Sequence, residues 1–550
     1  MKNKTILIGI LLMLLLAGIQ TSQGFTIKKN NIQTISQESV SLPSSFSWKD
    51  VDGIDYTTPI RNLNPIPACE AFALCAVIET MVQYKVGFPF NCDLSEAHLF
   101  FCSGGDSSWG VYIEDAADYL KKYGVPDEAC FPYPTKRANY PCSMSDSNWR
   151  DRTVKITDWH YLPRDINTIK TAIVTNGPVA AYFDIYKDFK YYLGGIYEHR
   201  WGEPGSGHWI SIIGYNDDPG YWICENSYGP SWGEKGYFRI KYGECGIDSH
   251  VIYIEDVYGH FPITYVDDDN ENGPWLGTQT NPYRLIQDAI NNSYPGYAII
   301  VKNGIYNENL ILNKTINLVG EDKENTIIDA NYKKNVITIT AENVKISGFT
   351  IKNSGDELYD AGINLRIFRT NGSIEIYDNI IKNNNLGIYI HWGMWNIVQN
   401  NIIEENNIGI HQWCGYNNII ENNTIKNNKI YGISMEYSQS WISANIIQNN
   451  GKTGIYLFEN SDMNFINNNN IKNNENGILI DNSTRNFIFC NNFIGNNRHA
   501  YFSNSYRLFW YFNYWDDWAK ILPKKIDGDI GKKINIPWIN FDWFPVKRPY

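Results

Sequence analysis

Residues 379–400 read NIIKNNNLGIYIHWGMWNIVQN and residues 401–422 read NIIEENNIGIHQWCGYNNIIEN, two blocks of 22 residues that align without a gap. Asn leads each unit at Asn379, Asn401, Asn423 and Asn445. A Gly-Ile pair recurs at Gly387, Gly409, Gly432, Gly454 and Gly477, 22 or 23 residues apart. A period of this length marks a solenoid, whose units bury their apolar faces only by stacking. The apolar runs are short (Ile402-Ile403, Ile446-Ile447), broken by Asn and Gly, and none reaches helix length. Three short strands per turn predict a parallel β-helix that rises roughly 4.8 Å per coil. Asn at equivalent turn positions is expected to stack as a hydrogen-bonded ladder along the axis.

The repeat grammar runs from about Tyr265 to Tyr550. Ahead of it the pattern is mixed. Cys69–Tyr84 is a run of good helix formers preceded by Pro65 and Pro67, and Glu114–Tyr123 is a second helix stopped by Gly124. Strand patterns follow at Val179–Phe183, Trp209–Tyr215, Tyr221–Cys224 and Tyr237–Ile240. Helices first and barrel-like strands second is an α+β order. The expected organisation is a signal peptide at 1–24, a short segment at 25–41, an α+β domain at 42–258 and a coil domain with a C-terminal cap at 259–550. Each half is expected to have its own core.

With 550 residues, 43% hydrophobic and 19% charged, the chain is long enough for two or three domains and is not a disordered polymer. The net charge of −12 argues against a nucleic-acid partner. Lys2 and Lys4, the apolar run Ile6–Ile19 and Ser22-Gln23-Gly24 read as a secretory signal, with an uncleaved anchor as the alternative. No second apolar stretch has spanning length. The mature protein is therefore expected outside the cell or on its surface, without an integral span, where disulfides are allowed.

Cys69 opens a predicted helix. His208 follows it by 139 residues, at the start of an apolar strand, and Asn226 by 157. A thiol at a helix N-terminus has its thiolate favoured by the dipole, and an imidazolium beside it favours it further. The imidazole can then protonate a leaving amine while an Asn amide orients its ring. No motif calls for a cofactor. Asp267-Asp268-Asp269-Asn270-Glu271 lacks a full calcium-loop pattern and reads as a solvated acidic turn, so no metal site is assigned.

Several blocks over Leu42–Asp256 resemble the papain family of cysteine peptidases: Leu42-Pro43-Ser44-Ser45-Phe46-Ser47-Trp48, Leu94-Ser95-Glu96 with Cys102 and Gly104-Gly105, Phe131-Pro132-Tyr133-Pro134, and Asn226-Ser227-Tyr228-Gly229 with Trp232-Gly233-Glu234-Lys235-Gly236-Tyr237. The resemblance implies Cys69 as nucleophile, His208 as acid/base and Asn226 as the orienting residue. It also implies substrate contacts at Gly104, Gly105, Gly207 and Trp209, a Cys102–Cys142 disulfide and a protein or peptide substrate. Cys92–Cys130 and Cys224–Cys245 are pairings left over, and connectivity stays open.

The chain also departs from the family. The oxyanion hole would use the Cys69 backbone N–H, but Leu63 stands where the family has a Gln donor. Glu70 replaces a Trp, Tyr228 replaces a Trp that covers the His-Asn pair, and Trp209 is bulkier than usual. From Tyr265 onward the sequence resembles right-handed parallel β-helix proteins of the pectin-lyase-like superfamily. Tyr265–Asp269, Ile286–Ile290 and Gly320-Glu321-Asp322 match their opening, and Asn513–Trp518 matches their cap.

Four residues after each Gly of the Gly-Ile pairs stand His391, Trp413, Glu436, Phe458 and Asp481, expected to line one edge of neighbouring coils. Trp392, Trp395, Tyr416, Tyr437 and Trp441 lie nearby as a platform for sugars or as plain stacking of neighbours. Three functions are open. The chain is a secreted cysteine endopeptidase whose coil binds a cell surface or polysaccharide, a non-catalytic papain-like binding or adhesion protein, or a polysaccharide-acting coil enzyme. The last needs two carboxylates at a fixed separation, and Glu404, Glu405, Glu421 and Glu436 form no convincing pair.

Overall fold

The structure, a computed structural model, describes residues 42–367, 373–519, 523–531 and 536–550. The signal and the segment at 25–41 lie outside the described residues. Among the described residues, no helix is long and apolar enough to cross a membrane.

The first half has a helical side and a sheet side. Helices α1 (Cys69–Val86), α2 (Glu96–Cys102) and α3 (Ile113–Lys122) make the helical side, and α4 (Ile166–Thr175) packs on the sheet. Helix α1 is buried from Ala71 to Gln83 and ends at Gly87, whose φ of 89° only glycine takes without strain. Eight strands form the sheet: β1 (Ser45–Ser47), β2 (Trp159–Tyr161), β3 (Val179–Tyr186), β4 (Ile196–Tyr197), β5 (Pro204–Asn216), β6 (Tyr221–Glu225), β7 (Tyr237–Lys241) and β8 (His250–Ile254). Their order is β2-β8-β3-β5-β6-β7-β4, with β1 on β5. Strand β5 presents Ile210 and Ile212 to the barrel core and Trp209 to the helical side, the alternation of a strand with both faces covered. Sequence patterning located α1, α3 and the four strands but missed α2, which has only seven residues, and α4, whose β-branched Ile, Thr and Val content reads as strand.

The second half is a parallel β-helix opened by α5 (Ile286–Asn292), whose Ile286, Ala289 and Ile290 plug the first coils. One column of strands runs Leu386–His391, Ile408–Trp413, Tyr431–Glu436, Thr453–Phe458, each paired in parallel with the next. A second runs Ile397–Gln399, Tyr416–Glu421, Gln439–Ser443. The third runs Ile380–Lys382, Ile402–Glu404, Thr424–Lys426 and holds 10 strands. The core is a stack of Ile, such as Ile403, Ile425, Ile447 and Ile471, all fully buried.

The Asn ladder is present. Nδ2 of Asn401 donates to Oδ1 of Asn423 at 3.0 Å, and Asn423 to Asn445 at 3.0 Å, repeating through Asn469 and Asn491 to Asn513. A second ladder links Asn384, Asn406, Asn428, Asn450, Asn474 and Asn496. Ahead of each ladder Asn sits a residue at positive φ, as at Asn400 (57°) and Asn422 (54°). Asn tolerates that region better than most residues, which explains the Asn-Asn pairs. The Gly of each Gly-Ile pair has a steric cause: a Cβ on Gly387 would lie 2.4 Å from the Gly409 carbonyl oxygen in the next coil. Asp542 terminates the first ladder, accepting from Asn513 Nδ2 at 3.0 Å and Trp515 Nε1 at 3.1 Å.

The two halves share packing. Ile263, Ala298 and Ile300, on the first coil strands, belong to the core cluster of the helical side. Asn148 Nδ2 donates to Tyr294 Oη at 2.7 Å, and Arg152 lies 3.5 Å from the Tyr294 ring centroid. The first coil therefore serves as a wall of the α+β half, a contact that local patterning does not report.

Cys102–Cys142 is bonded, with Cα atoms 5.0 Å apart. The leftover pairings Cys92–Cys130 and Cys224–Cys245 do not form, and all four thiols are free. Cys92 is packed in the helical core and Cys224 in the barrel core, where each acts as a small apolar side chain.

Candidate active site

Cys69 is the first residue of α1, so its N–H has no acceptor within the helix. Helix α1 packs on β5, and this brings Cys69 to the His208-Trp209 segment. The backbone N–H of Trp209 favours the Cys69 thiolate, against the larger effect of burial. His208 pairs with Asn226, Nε2 to Oδ1 at 2.9 Å. The amide oxygen only accepts, so Nε2 carries the ring proton and Nδ1 keeps its lone pair. Asn226 Oδ1 also accepts the Ser227 N–H at 2.8 Å, which fixes the amide. Tyr228 stacks on His208 with centroids 5.0 Å apart, and Trp232 meets Tyr228 edge-on at 5.4 Å. Tyr228 thus covers the His-Asn pair.

The electrostatics differ from the dipole argument. Burial, followed by the neighbouring Glu70, pushes the Cys69 thiol well above its ordinary pKa. Burial raises the Glu70 carboxyl to about 7. Burial lowers His208 to about 4, only partly offset by Asn226. Desolvation thus favours the neutral form of each group and opposes the partial charge at the helix end. Glu70 was visible in the sequence only as a missing Trp, since adjacency in the chain does not say that its carboxyl raises the thiol pKa.

Leu63 offers no donor. Its side chain packs against the helical core, its N–H donates to Ser227 O at 2.9 Å, and its carbonyl accepts from Tyr133 Oη at 2.7 Å. Asn62 and Asn64 are tied to each other, Asn64 Nδ2 donating to Asn62 Oδ1 at 3.0 Å. Gly104 has a φ of 101°, with no heavy atom within 4 Å of a Cβ placed there. Gly105 N–H donates to Phe100 O at 2.8 Å, and a Cβ on Gly105 would strike that oxygen. The loop returns to helix α1 at Gly110, where a Cβ would lie 3.5 Å from Glu70 Oε1. At Gly207 a Cβ would fall 2.0 Å from Tyr182 Oη, so Tyr182 is what demands glycine. The Trp209 ring is buried, and its effect on the sulfur comes through its backbone N–H.

A model of the papain family cysteine proteases matches residues 42–255. Cathepsin B-like CP3 of Giardia intestinalis is 34% identical over 31% of this chain and 57% of its own length. Fruit bromelain of Ananas comosus is 31% identical over 38% of this chain and 58% of its own length. The chain thus spans little more than half of these two relatives. Macrodontain-1 of Ananas macrodontes is 32% identical over 38% of this chain and 95% of its own length. The chain belongs to the papain family of cysteine proteases.

A second model, periplasmic copper-binding protein (NosD), matches residues 357–521, within the coil that follows the papain-family domain. Of the candidate ligand groups among the described residues, the coil contains His499, Asp516 and Asp517. His499 Nε2 is 2.7 Å from Asp516 Oδ1, Lys524 Nζ is 2.6 Å from Asp517 Oδ2, and Asn496 Nδ2 meets His499 Nδ1 at 3.3 Å. One engaged imidazole and two carboxylates, one held by a lysine, do not fit copper, which favours several imidazole or thiolate donors. The other group includes the bonded sulfurs of Cys102 and Cys142, which are not ligands.

On the coil, parallel register aligns His391, Trp413, Glu436 and Phe458 in one column, as expected, with Arg366 ahead of them, while the paired register ends at Leu457 and Ile480, one residue before Asp481. His391 and Trp413 lie 4.6 Å apart, and Tyr389 stacks on His411 at 5.4 Å.

Proposed function

We propose that the chain is a secreted cysteine endopeptidase, with Cys69 as nucleophile, His208 as acid and base and Asn226 as the positioning residue, and that its coil attaches it to a cell surface or polymer. The observation that carries this reading is the His208–Asn226 pair at 2.9 Å, on the strand against which the helix opened by Cys69 packs. Nδ1 of His208 takes the thiol proton as the sulfur attacks the peptide carbonyl. The same proton then passes to the leaving amine, leaving a thioester. Water attacks the thioester after giving a proton to His208, and the returning proton restores the thiol.

The Cys69 N–H donates to the oxyanion. Leu63 supplies no second donor, and a pair that desolvation favours in its neutral form must transfer a proton during attack, so turnover is slow. Extracellular placement is supported by the apolar Ile6–Ile19 run and by the periplasmic family matched by the coil.

A peptide-like epoxide probe tests this reading. Labelling of Cys69, lost in Cys69→Ala and accompanied by wild-type peptide hydrolysis, supports it. Labelling without turnover favours a papain-family domain that binds peptides without cleaving them, the reading to which Leu63 and the raised thiol pKa point.

A further inference from the structure

Asn226 uses its oxygen in the pair with His208, while its Nδ2 is buried without a protein partner. Three more buried polar atoms share that condition: Ser211 Oγ, Glu225 Oε2 and Ser227 Oγ. All four residues line one cavity. Backbone register explains their meeting. Ser211 on β5 is directly opposite Glu225, the last residue of β6, and Asn226 and Ser227 follow at once. Ala73 and Ala76 of α1 form the facing wall, where larger side chains would close the space.

The cavity leaves about 20 Å³ for the centre of a water molecule, and one water needs roughly 10–15 Å³ by that measure. The lining chemistry selects the occupant. Asn226 Nδ2 can only donate, which repels a cation. The one guanidinium on the wall, Arg61, is already paired with Glu79 and Glu96, so the lining offers an anion no unpaired positive charge. The two hydroxyls serve in either direction. Water, with two donors and two acceptors, can satisfy all four atoms at once.

We propose that an internal water, hydrogen-bonded by Asn226, Glu225, Ser211 and Ser227, holds the Asn226 amide in the orientation that His208 requires. An amide turned over would aim its NH2 at the Ser227 N–H and at the ring proton of His208, two donor–donor clashes. The water favours the working orientation from the other end by giving Nδ2 an acceptor. Glu225, which burial raises to about 8, completes the bond chain in its protonated or its ionised form by exchanging donor and acceptor roles with the water. It is a positioning residue that acts through Asn226. The kinetic role rests on the proposed peptidase reading, but the water site does not.

A crystal structure of the full chain at about 1.5 Å is expected to show one ordered water within roughly 2.7–3.2 Å of Asn226 Nδ2 and Glu225 Oε2. Density showing a dry or side-chain-filled cavity overturns the site whether or not the protein turns over peptide. Ser211→Val puts a methyl group into the space. It should lower kcat roughly three- to tenfold at unchanged KM, the size of one ordinary hydrogen bond. Glu225→Leu should do the same and Glu225→Gln should recover most of the loss, whereas a purely structural role would not distinguish Leu from Gln in kcat alone. Wild-type kcat in folded Ser211→Val and Glu225→Leu overturns the positioning role. Absence of turnover in the wild type defeats the peptidase reading and leaves the density to decide the water.

Discussion

In the coil, the buried side chain of Asn423 makes five hydrogen bonds. Nδ2 donates to Val398 O, Glu421 O and Asn445 Oδ1, and Oδ1 accepts the backbone N–H and Nδ2 of Asn401. In the papain-family domain, Glu79, Asp93 and Glu96 crowd onto the single guanidinium of Arg61, and buried Glu225 keeps one oxygen without a protein partner. Burial pushes both Glu96 and Glu225 up, and the Arg61 guanidinium offsets that only in part. The difference comes from symmetry. Translation by one coil puts each donor above the matching acceptor, so one solution serves every ladder position. An aperiodic interior solves each polar group separately, and the remainders gather behind the site.

The sharpest break of this contrast is Cys69→Ala. Peptide hydrolysis should fall by more than about 10³-fold, with His208→Ala nearly as severe and Asn226→Ala weaker. The denaturant unfolding curve should stay in place. Full activity in Cys69→Ala would move the chemistry elsewhere.

The converse break is Asn423→Ala. It strands the Asn401 amide and the Val398 carbonyl inside the coil, and should cost about 3 kcal/mol or more in urea unfolding. Probe labelling of Cys69 should persist. A loss under about 1 kcal/mol would mean that ladder bonds carry little net stability.

Leu63→Gln sharpens the comparison by adding the missing polar group. If the Gln amide reaches the oxyanion, kcat on a small peptide should rise about tenfold or more. Should it change nothing while Asn62→Ala or Asn64→Ala cripples the enzyme, one of those amides supplies the donor instead.

The smallest expected effect is at Glu70. Its carboxylate is ionised above about 7 and opposes the neighbouring thiolate, a charge lost as pH falls through that value. Glu70→Gln should therefore speed alkylation of Cys69 at pH 8 by roughly threefold and leave it nearly unchanged at pH 5. Equal effects at both pH values would assign the high thiol pKa to burial alone.

The coil was legible residue by residue because its structure is written as a period. A 22-residue repeat of Asn and Gly dictates the strand count, the ladders and the close approach at Gly387. The proposed triad of Cys69, His208 and Asn226 was read from residue types and spacing, and Leu63 from the donor that the family resemblance implies at its position. Tertiary structure alone decided the rest. The Glu70 carboxyl faces Gly110, Ser211 faces Glu225 across two strands, Ile300 of the coil completes the helical core, and Cys92 and Cys224 stay unbridged. Each of these depends on the packing of segments far apart in the chain, and the desolvation that favours the neutral thiol and the neutral imidazole exists only once those segments have closed over them.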